Sequence, residues 1–371
     1  MKKLIIFLFL SIIFINNAKA DDKKLLKEFS LEEQVGQMIM VGFRGFTTKD
    51  DPTVSYLAKE NKIGGIIYFD YDMETKESKR NIKNPNQVKK LSEDFQNLNP
   101  KLPLLIAVDQ EGGKVQRLKQ KYGFPENVSA QKLGDLNDLT LTKWEAVKTG
   151  ETLKHSGINV NFAPVLDVNI NPENPAIGKL QRSYSSNPDV VYKHAKTTIE
   201  GLNEKDIISC VKHFPGHGSA FNDSHLGLTD ISDTFKEIEL DPYKKLIQDN
   251  KLEMVMMGHL FNKNVDKNYP ASISKKYSDL LRKDLGFNGV IITDDMQMKA
   301  ITDNYSLLEQ IELFLDSSAD IILFGNNLIY EPKIAEKTYN IILNKAKHDK
   351  KIEERINKSF KRIYTLKQKL K

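Results

Sequence analysis

The feature that most constrains the fold of this chain is a series of short apolar segments separated by longer polar ones. Each segment is continuously apolar rather than alternating, which is typical of parallel strands covered on both faces. We expect eight strands in all. They lie in MIMVGF from Met38, IGGIIYF from Ile63, LLIAVD from Leu104, NVNFAPVLDV from Asn159, IISCVKHF from Ile207, LEMVMMGH from Leu252, VIITDD from Val290 and DIILFGN from Asp320.

Helices are predicted between these strands. Asn84-Pro85 and Asp241-Pro242 each offer a capping side chain followed by proline at the first helical position. Further helices are expected over about 139–155, 189–203, 275–285, 305–317 and from about 332 onward, interrupted near 348. The alternation predicts an α/β fold, a (β/α)8 TIM barrel formed by a single domain over residues 21–371, with a long loop after the fifth strand. An open doubly wound sheet is the alternative.

The first twenty residues have the organisation of a secretory signal peptide. Lys2 and Lys3 precede an apolar run over residues 4–15, and Ala18-Lys19-Ala20 follows a short polar stretch. The apolar run is shorter than the roughly 20 residues that a membrane span needs. We therefore expect cleavage after Ala20, no stable membrane insertion afterwards, and export to the periplasm or the outside.

The charge and the single cysteine exclude several classes of function. The chain carries a net charge of +5, and removing the three lysines of residues 1–20 leaves +2. Such a balance offers no electrostatic case for nucleic acid binding. Cys210 has no partner for an internal disulfide, and its apolar surroundings predict a small buried core residue. The chain has neither a G-x-G-x-x-G turn nor a P-loop, so we expect no nucleotide cofactor, and no other cofactor is implied.

Charged and polar side chains recur where the predicted strands end. Asp109 closes the third strand, Lys212-His213 the fifth, and Asp294-Asp295 the seventh, while His259 lies near the end of the sixth. A core strand has little reason to end in a charge unless that end faces a polar pocket. In a TIM barrel the carboxyl ends of the strands share one face, so these residues predict a functional site there.

The stretch VKHFPGHGSAFNDSHLG holds His213, His217 and His225, three of the seven histidines of the chain. His213 and His217 would share one face of a helix, as a metal site requires, but the intervening Phe214-Pro215-Gly216 cannot lie inside a stable helix. We therefore expect no metal. The stretch instead predicts a mobile active-site loop, whose base His217 helps to hold.

Asp223 and His225 form a candidate acid/base pair. Residues two apart in an extended segment point the same way, and an aspartate beside a histidine fixes its tautomer and stabilises the imidazolium. A proton donor on a loop and a carboxylate at a rigid strand end suit retaining glycoside hydrolysis. The residue pattern alone leaves Asp294 and Asp295 as equal candidates for the nucleophile.

Several motifs together resemble those of β-N-acetylglucosaminidases of glycoside hydrolase family 3. They are AVDQEGGKVQRL, NFAPVLDV, QRSY, VKHFPGHG followed by DSH, and GVIITDDMQMKAI, and the resemblance runs from about residue 30 to the C-terminus. It implies a (β/α)8 barrel and retaining cleavage of a terminal β-linked N-acetylglucosamine, typically from peptidoglycan fragments.

The resemblance also implies roles for individual residues. Asp294 matches the nucleophile, whereas Asp295 is only its neighbour, and Asp223 with His225 matches the acid/base dyad. A substrate-binding set is carried over as well, comprising Asp109, Arg117, Arg182, Lys212 and His213. Lys114 stands where the family often has arginine, but it lies outside this set.

Three alternatives remain open for the function. A phosphorylase would use the same covalent intermediate with another acceptor, a β-glucosidase would prefer sugars without the 2-acetamido group, and a non-catalytic peptidoglycan-binding protein would release no sugar. In every case the expected partner is a carbohydrate, and we expect the chain to be a monomer.

Overall fold

The computed structural model describes residues 25–98 and 101–370, so the predicted signal peptide lies outside the described residues. Across these two ranges, no helix is both long and apolar enough to cross a membrane.

Eight parallel strands form one sheet that closes on itself. Each strand lies within one of the predicted apolar segments. The strands are β1 (Ile39–Gly42), β2 (Gly65–Tyr68), β3 (Leu105–Val108), β4 (Val160–Asn161), β5 (Ile208–Phe214), β6 (Met254–Met257), β7 (Val290–Thr293) and β8 (Ile322–Phe324). Neighbours along the chain pair in order, and β1 also pairs with β8.

The contact between β7 and β8 closes the barrel. A parallel bridge joins Ile292 to Ile321, and the Thr293 N–H donates to the Ile321 carbonyl at 3.1 Å. The TIM-barrel prediction is therefore confirmed, and the open doubly wound sheet is excluded. The fourth strand is much shorter than its apolar segment, because Pro164 has no N–H for a ladder and only an isolated bridge from Val165 to Lys212 continues the pairing.

Twelve α-helices surround the barrel between Leu31 and the end of the described residues. They are α1 (Leu31–Gln37), α2 (Pro52–Lys59), α3 (Pro85–Leu98), α4 (Ala130–Leu136), α5 (Leu139–His155), α6 (Pro188–Asn203), α7 (Asp241–Gln248), α8 (Lys275–Asp279), α9 (Lys299–Thr302), α10 (Leu307–Asp316), α11 (Ile334–His348) and α12 (Lys350–Lys367). The predicted helix over 275–285 divides into α8 and a π-helical turn, Leu280–Asp284. The predicted break near 348 is confirmed, and the Asp349 carboxylate caps α12 by accepting from the Lys351 N–H.

The strands and the inward faces of the helices form one continuous apolar core. Cys210 is completely buried in β5, as the sequence predicts. The basic C-terminal helix α12 is amphipathic, because Ile356, Phe360 and Ile363 are fully buried while lysines occupy its outer face. Burying side chains of this size stabilises the fold by roughly 1.5–3 kcal/mol each.

A lysine is buried where the end of α12 packs beneath the barrel. Lys367 is fully buried, and its Nζ donates to the Gln37 Oε1 at 2.5 Å and to the Gly64 carbonyl at 2.8 Å. In the part of the chain that the structure describes, no carboxylate pairs with it. Burial therefore lowers the pKa of Lys367 to about 7.

Lys367 makes the stability of the protein depend on pH above neutrality. An unfolded lysine has a pKa of about 10.4, so between about pH 7 and 10 the unfolded state binds more protons, and stability rises with pH in that window. We expect the free energy of unfolding of the natural protein to rise by about 2 kcal/mol from pH 7 to pH 9 relative to that of Lys367→Met. Denaturant titrations at both pH values measure this difference. Parallel pH profiles for the two proteins would contradict the prediction.

Candidate active site

The carboxyl ends of the strands surround a cavity of about 660 Å³. Its wall combines acidic, basic and apolar side chains from the loops after β2, β3, β5, β7 and β8. Five of the eight site residues predicted from the sequence line it, namely Asp109, Arg117, Asp223, His225 and Asp294. The other three, Arg182, Lys212 and His213, are buried. Lys212 donates directly to Asp109 of the wall, whereas Arg182 is connected to Lys212 through Glu111, and His213 to Arg182.

Asp294 follows directly after β7, and both its backbone and its side chain are hydrogen-bonded. Its N–H donates to the Met257 carbonyl at 3.0 Å, and its Oδ1 accepts from the Asp295 N–H at 2.8 Å. Burial acts to raise the pKa of Asp294, but the electrostatic effect of the nearby His259, followed by His213 and His225, outweighs it and holds that pKa below its ordinary value. The carboxylate therefore stays ionised and available as a nucleophile.

Asp295 is in a different position, although it is the next residue. Its Oδ1 accepts from the Gly325 N–H at 2.8 Å and from the Gln297 N–H at 3.0 Å, so it is engaged by the backbone of the loops after β7 and β8. Burial raises the pKa of Asp295 to about 6. This contrast favours Asp294 over Asp295 as the nucleophile, which the residue pattern alone did not decide.

Asp223 and His225 are paired on the loop after β5. The His225 Nδ1 donates to the Asp223 Oδ1 at 2.7 Å, and the His225 side chain is 53% exposed. The predicted contact is present, but its cause differs from the prediction. The two residues lie in a turn closed by the Leu226 N–H and the Asp223 carbonyl at 3.0 Å, rather than in an extended segment.

The pairing changes the protonation of both partners. Burial lowers the pKa of His225, but the hydrogen bond and charge of Asp223 outweigh this and raise it overall. Burial raises the pKa of Asp223, but His225 brings it down to about 2. An imidazolium stabilised by an ionised carboxylate is suited to general acid catalysis.

Asp109, at the end of β3, is anchored by two cations. The Lys212 Nζ donates to its Oδ1 at 2.6 Å and the Arg117 Nη2 to its Oδ2 at 3.1 Å. Burial acts to raise the pKa of Asp109, but the charge of Lys212, followed by that of Arg117, holds it well below its usual range. An ionised carboxylate in a fixed position can accept hydrogen bonds from substrate hydroxyl groups.

Glu111 joins these residues to Arg182 and was not among the predicted site residues. Arg182 binds its carboxylate in a bidentate manner, with both N–O distances 2.8 Å, and the Lys212 Nζ lies 2.8 Å from its Oε1. Glu111 is the glutamate of the DQEGG motif and follows Asp109, its first residue, by two positions. The two-residue spacing from Asp109 could have indicated that Glu111 belongs to the site. It does not identify the basic partners of Glu111, which lie 71 and 101 residues further along the chain.

A second carboxylate that sequence reasoning missed, Asp167, fixes the ring of His213. The His213 Nδ1 donates to the Asp167 Oδ2 at 2.7 Å, and the Arg182 Nη2 donates to the His213 Nε2 at 3.2 Å. An arginine N–H can only donate, so Nε2 accepts this bond, and the hydrogen shared with Asp167 lies on Nδ1. Both ring nitrogens are occupied by protein groups, so His213 is suited to orienting Arg182. Direct binding of sugar by His213 stays a prediction.

His217 lies at the buried base of the loop. Its N–H donates to the Asp167 Oδ1 at 2.8 Å, and its carbonyl accepts from the Asn174 Nδ2 at 2.7 Å, so its backbone holds the base as expected. Within the described residues its ring nitrogens have no hydrogen-bond partner, and burial lowers the pKa of His217 to about 4. Gly218 is required for packing, because a Cβ there would lie 1.7 Å from the Val168 carbonyl oxygen. Mobility of the loop stays a prediction.

The three histidines at the end of β5 and in the loop after it therefore do not converge on one point. His213 faces Asp167, His217 packs edge-on against His213 at a centroid distance of 5.9 Å, and His225 pairs with Asp223. Over the two described ranges, no group of three or more His, Cys, Asp or Glu side chains has the geometry to hold a metal ion.

Residues 30–366 match the model of the glycosyl hydrolase family 3 N-terminal domain. The chain is 36% identical over 304 residues to a beta-hexosaminidase of Shewanella frigidimarina, covering 78% of this chain and 82% of that protein. It is 31% identical over 395 residues to beta-hexosaminidase A of Pseudoalteromonas piscicida, covering 96% of this chain and 64% of that protein.

Solved structures agree with this similarity. A family 3 beta-N-acetylglucosaminidase from Paenibacillus sp. superposes with a TM-score of 0.82 at 34% identity, covering 92% of this chain and 62% of that one. NagZ from Neisseria gonorrhoeae, solved in complex with N-trifluoroacetyl-D-glucosamine, gives a TM-score of 0.70 at 29% identity, covering 82% and 84%. This chain thus spans less than two thirds of the Pseudoalteromonas and Paenibacillus proteins. With its closed parallel barrel and the match over residues 30–366, the chain belongs to glycoside hydrolase family 3 and is an enzyme of the beta-hexosaminidase type.

Proposed function

We propose that this protein is a retaining exo-β-N-acetylglucosaminidase that hydrolyses terminal β-linked N-acetylglucosamine through a covalent glycosyl-enzyme. One observation carries the proposal. The same cavity holds Asp294, whose environment favours the ionised form, and His225, whose protonated form Asp223 stabilises. Two groups with opposite protonation preferences, one nucleophilic and one acidic, are what a double displacement at an anomeric carbon needs.

The reaction would proceed in two steps. Asp294 attacks the anomeric carbon while His225 donates its proton to the leaving oxygen, which gives the covalent glycosyl-enzyme. His225, now neutral, then takes a proton from water, which attacks the same carbon and releases Asp294 with retention of configuration. Asp223 does not transfer a proton in either step. It orients the imidazole and stabilises its charged form.

The sugar would lie between Asp109 and Asp294. Asp109 and Arg117 line the cavity and present fixed acceptors and donors to ring hydroxyl groups. Lys212 is buried behind them and neutralises Asp109, and Arg182 is held in place by Glu111. Because these side chains are already positioned before the substrate binds, binding costs them little conformational entropy.

Lys299 supports peptidoglycan fragments as the natural substrate. It is exposed at the start of α9, lines the same cavity as His225, and forms no ion pair with any carboxylate of the described residues. Since His225 acts on the leaving oxygen, a cation on its cavity wall is suited to a leaving sugar that bears a carboxylate, such as muramic acid. The predicted export would place the enzyme beside such glycans.

The central experiment identifies the product of the purified protein. Aryl β-N-acetylglucosaminide, aryl β-glucoside and soluble muropeptides are each incubated with and without inorganic phosphate. We expect N-acetylglucosamine of retained configuration in both conditions. A glycosyl phosphate as the main product would establish the phosphorylase instead, preference for the glucoside would establish a β-glucosidase, and binding without release would establish a non-catalytic protein.

Replacing Asp294 tests the nucleophile. Asp294→Ala should lower the turnover of an aryl β-N-acetylglucosaminide at least about 1,000-fold, because no covalent intermediate can form. Asp295→Asn is the matched control, since the amide oxygen can still accept from the Gly325 N–H, and its loss should be much smaller. Near-normal activity in Asp294→Ala would exclude this assignment.

Replacing His225 tests the acid through the leaving group. His225→Ala should slow substrates with poor leaving groups by about 100- to 10,000-fold, because these need protonation of the departing oxygen. A dinitrophenyl glycoside, whose leaving group departs without a proton, should be slowed much less in the first step. Rates for a series of aryl glycosides measure this contrast. Equal losses across the series would rule out His225 as the acid.

Replacing Lys299 tests the acidic leaving sugar. Lys299→Gln should lower kcat/KM two- to fivefold for N-acetylglucosaminyl-muramic acid, because an exposed charge pair is worth up to about 1 kcal/mol. The neutral disaccharide N,N′-diacetylchitobiose should be hydrolysed at an unchanged rate. Lys276→Gln, which removes an exposed lysine outside the cavity, is the control. Loss on both disaccharides alike would refute charge recognition without affecting the proposed reaction.

A further inference from the structure

His259 is a buried histidine that the reaction scheme above does not use. It follows β6 after a single glycine, is completely buried, and contacts the backbone beside the nucleophile. Its position near the end of the sixth strand is visible in the sequence, but no role follows from that position alone.

Both ring nitrogens of His259 are engaged. The Nε2 lies 2.8 Å from the Asp295 carbonyl oxygen, and the Nδ1 lies 2.6 Å from the Ser272 Oγ. A carbonyl oxygen can only accept, so Nε2 carries the hydrogen. Burial lowers the pKa of His259, so the ring is neutral near pH 7 and Nδ1 accepts from the Ser272 hydroxyl.

Ser272 anchors this chain of hydrogen bonds to the backbone. It is completely buried, and its N–H donates to the Gly258 carbonyl at 3.1 Å, which ties the loop after β6 back to the residue before His259. The bond to Ser272 therefore fixes the imidazole of His259. The other hydrogen bond of the ring fixes the carbonyl of Asp295.

Asp295 is fastened on its other side by its own carboxylate. That carboxylate accepts from the Gly325 and Gln297 amides, and a Cβ at Gly325 would lie 2.3 Å from the Asp295 Oδ2, so only glycine allows this approach. With both its carbonyl and its side chain held, Asp295 has a fixed backbone, and its N–H donates to the Asp294 Oδ1 at 2.8 Å.

We propose that His259 is a positioning residue for the nucleophile, and that it orients the Asp294 carboxylate through the backbone of Asp295. The proposal rests on the proposed role of Asp294 as the nucleophile. Without the bond from His259, the Asp295 carbonyl keeps only the Met298 N–H, at 3.0 Å, from its own loop. The backbone of Asp295 then has one fixed contact fewer to β6, and its N–H is aligned less closely with the Asp294 Oδ1. Attack on carbon requires alignment within a fraction of an ångström, and a misplacement of 1 Å can cost about 100-fold.

Two substitutions at His259 separate its hydrogen bond from its bulk. His259→Leu removes the donor, and we expect kcat for an aryl N-acetylglucosaminide to fall about 30- to 100-fold while KM changes less than threefold. His259→Gln places an amide N–H within reach of the Asp295 carbonyl and should recover kcat to within about fivefold of the natural enzyme. Ser272→Ala removes a single oxygen, and it should slow the reaction three- to tenfold even where the leucine variant is unfolded.

The formation of the covalent intermediate gives a readout that a merely structural role would not move. A fluorinated N-acetylglucosaminyl fluoride labels a nucleophilic carboxylate and leaves the deglycosylation step too slow to interfere. The rate of labelling at Asp294, followed by intact-protein mass, should fall in His259→Leu by the same factor as kcat, and it should recover in His259→Gln.

His194 offers a matched control. It is also completely buried, and its Nδ1 and Nε2 contact the Thr142 Oγ1 at 2.8 Å and the Asn137 Oδ1 at 3.3 Å, far along the chain from the nucleophile. His194→Leu should lower the melting temperature about as much as His259→Leu does, and it should leave the labelling rate unchanged.

Three results would overturn the proposal. They are an unchanged labelling rate in both His259→Leu and Ser272→Ala, an equal loss in the leucine and glutamine variants, and an equal loss in His194→Leu. If the natural enzyme itself is not labelled at Asp294, the proposed function fails first and this inference fails with it. Normal labelling of the natural enzyme with no effect of the substitutions overturns the inference alone.

Discussion

The closure of eight parallel strands is the constraint on which the rest of this structure depends. Backbone hydrogen bonds run from β1 through to β8, and the Ile292–Ile321 bridge leaves no open edge. Because all strands point the same way, every strand end reaches the same rim, so Asp109, Lys212 and Asp294 meet although they are distant in the chain. The apolar side chains of the strands fill the interior of the barrel. The polar residues at the carboxyl ends of the strands therefore lie at the rim.

At that rim, burial and charge act against each other, and their balance gives neighbouring groups different chemistry. Burial acts to raise the pKa of Asp109, Asp294 and Asp295 alike. Lys212 reverses the effect at Asp109, and nearby histidines reverse it at Asp294. At Asp295 two backbone amides and His225 do not offset burial and the charge of Asp294, so its pKa rises to about 6. Two adjacent aspartates therefore differ in pKa because of what surrounds them, not because of what they are.

Much of the fold and part of the site could be predicted from local patterns. All eight strands lie in the apolar segments, because burial on both faces imposes a composition that is visible without knowing the neighbours. The Asp223–His225 pair was also predictable, since its members are two residues apart. The roles of Glu111, Asp167 and His259 could not be predicted in this way. Their hydrogen-bond partners, Arg182, His213 and Asp295, lie 71, 46 and 36 residues away, and no local periodicity encodes such a pairing.

The sequence by itself determined the strand order, the residue types available at each strand end and the pairing of Asp223 with His225, because these depend on periodicity, chain order and short spacing. Only the tertiary structure decided which carboxylate stays ionised and which cations neutralise Asp109 and Glu111. It also decided that Asp223 reaches His225 through a turn. The physical reason is that hydrogen bonds and desolvation act over a few ångströms, and those distances exist between remote residues only once the barrel has closed.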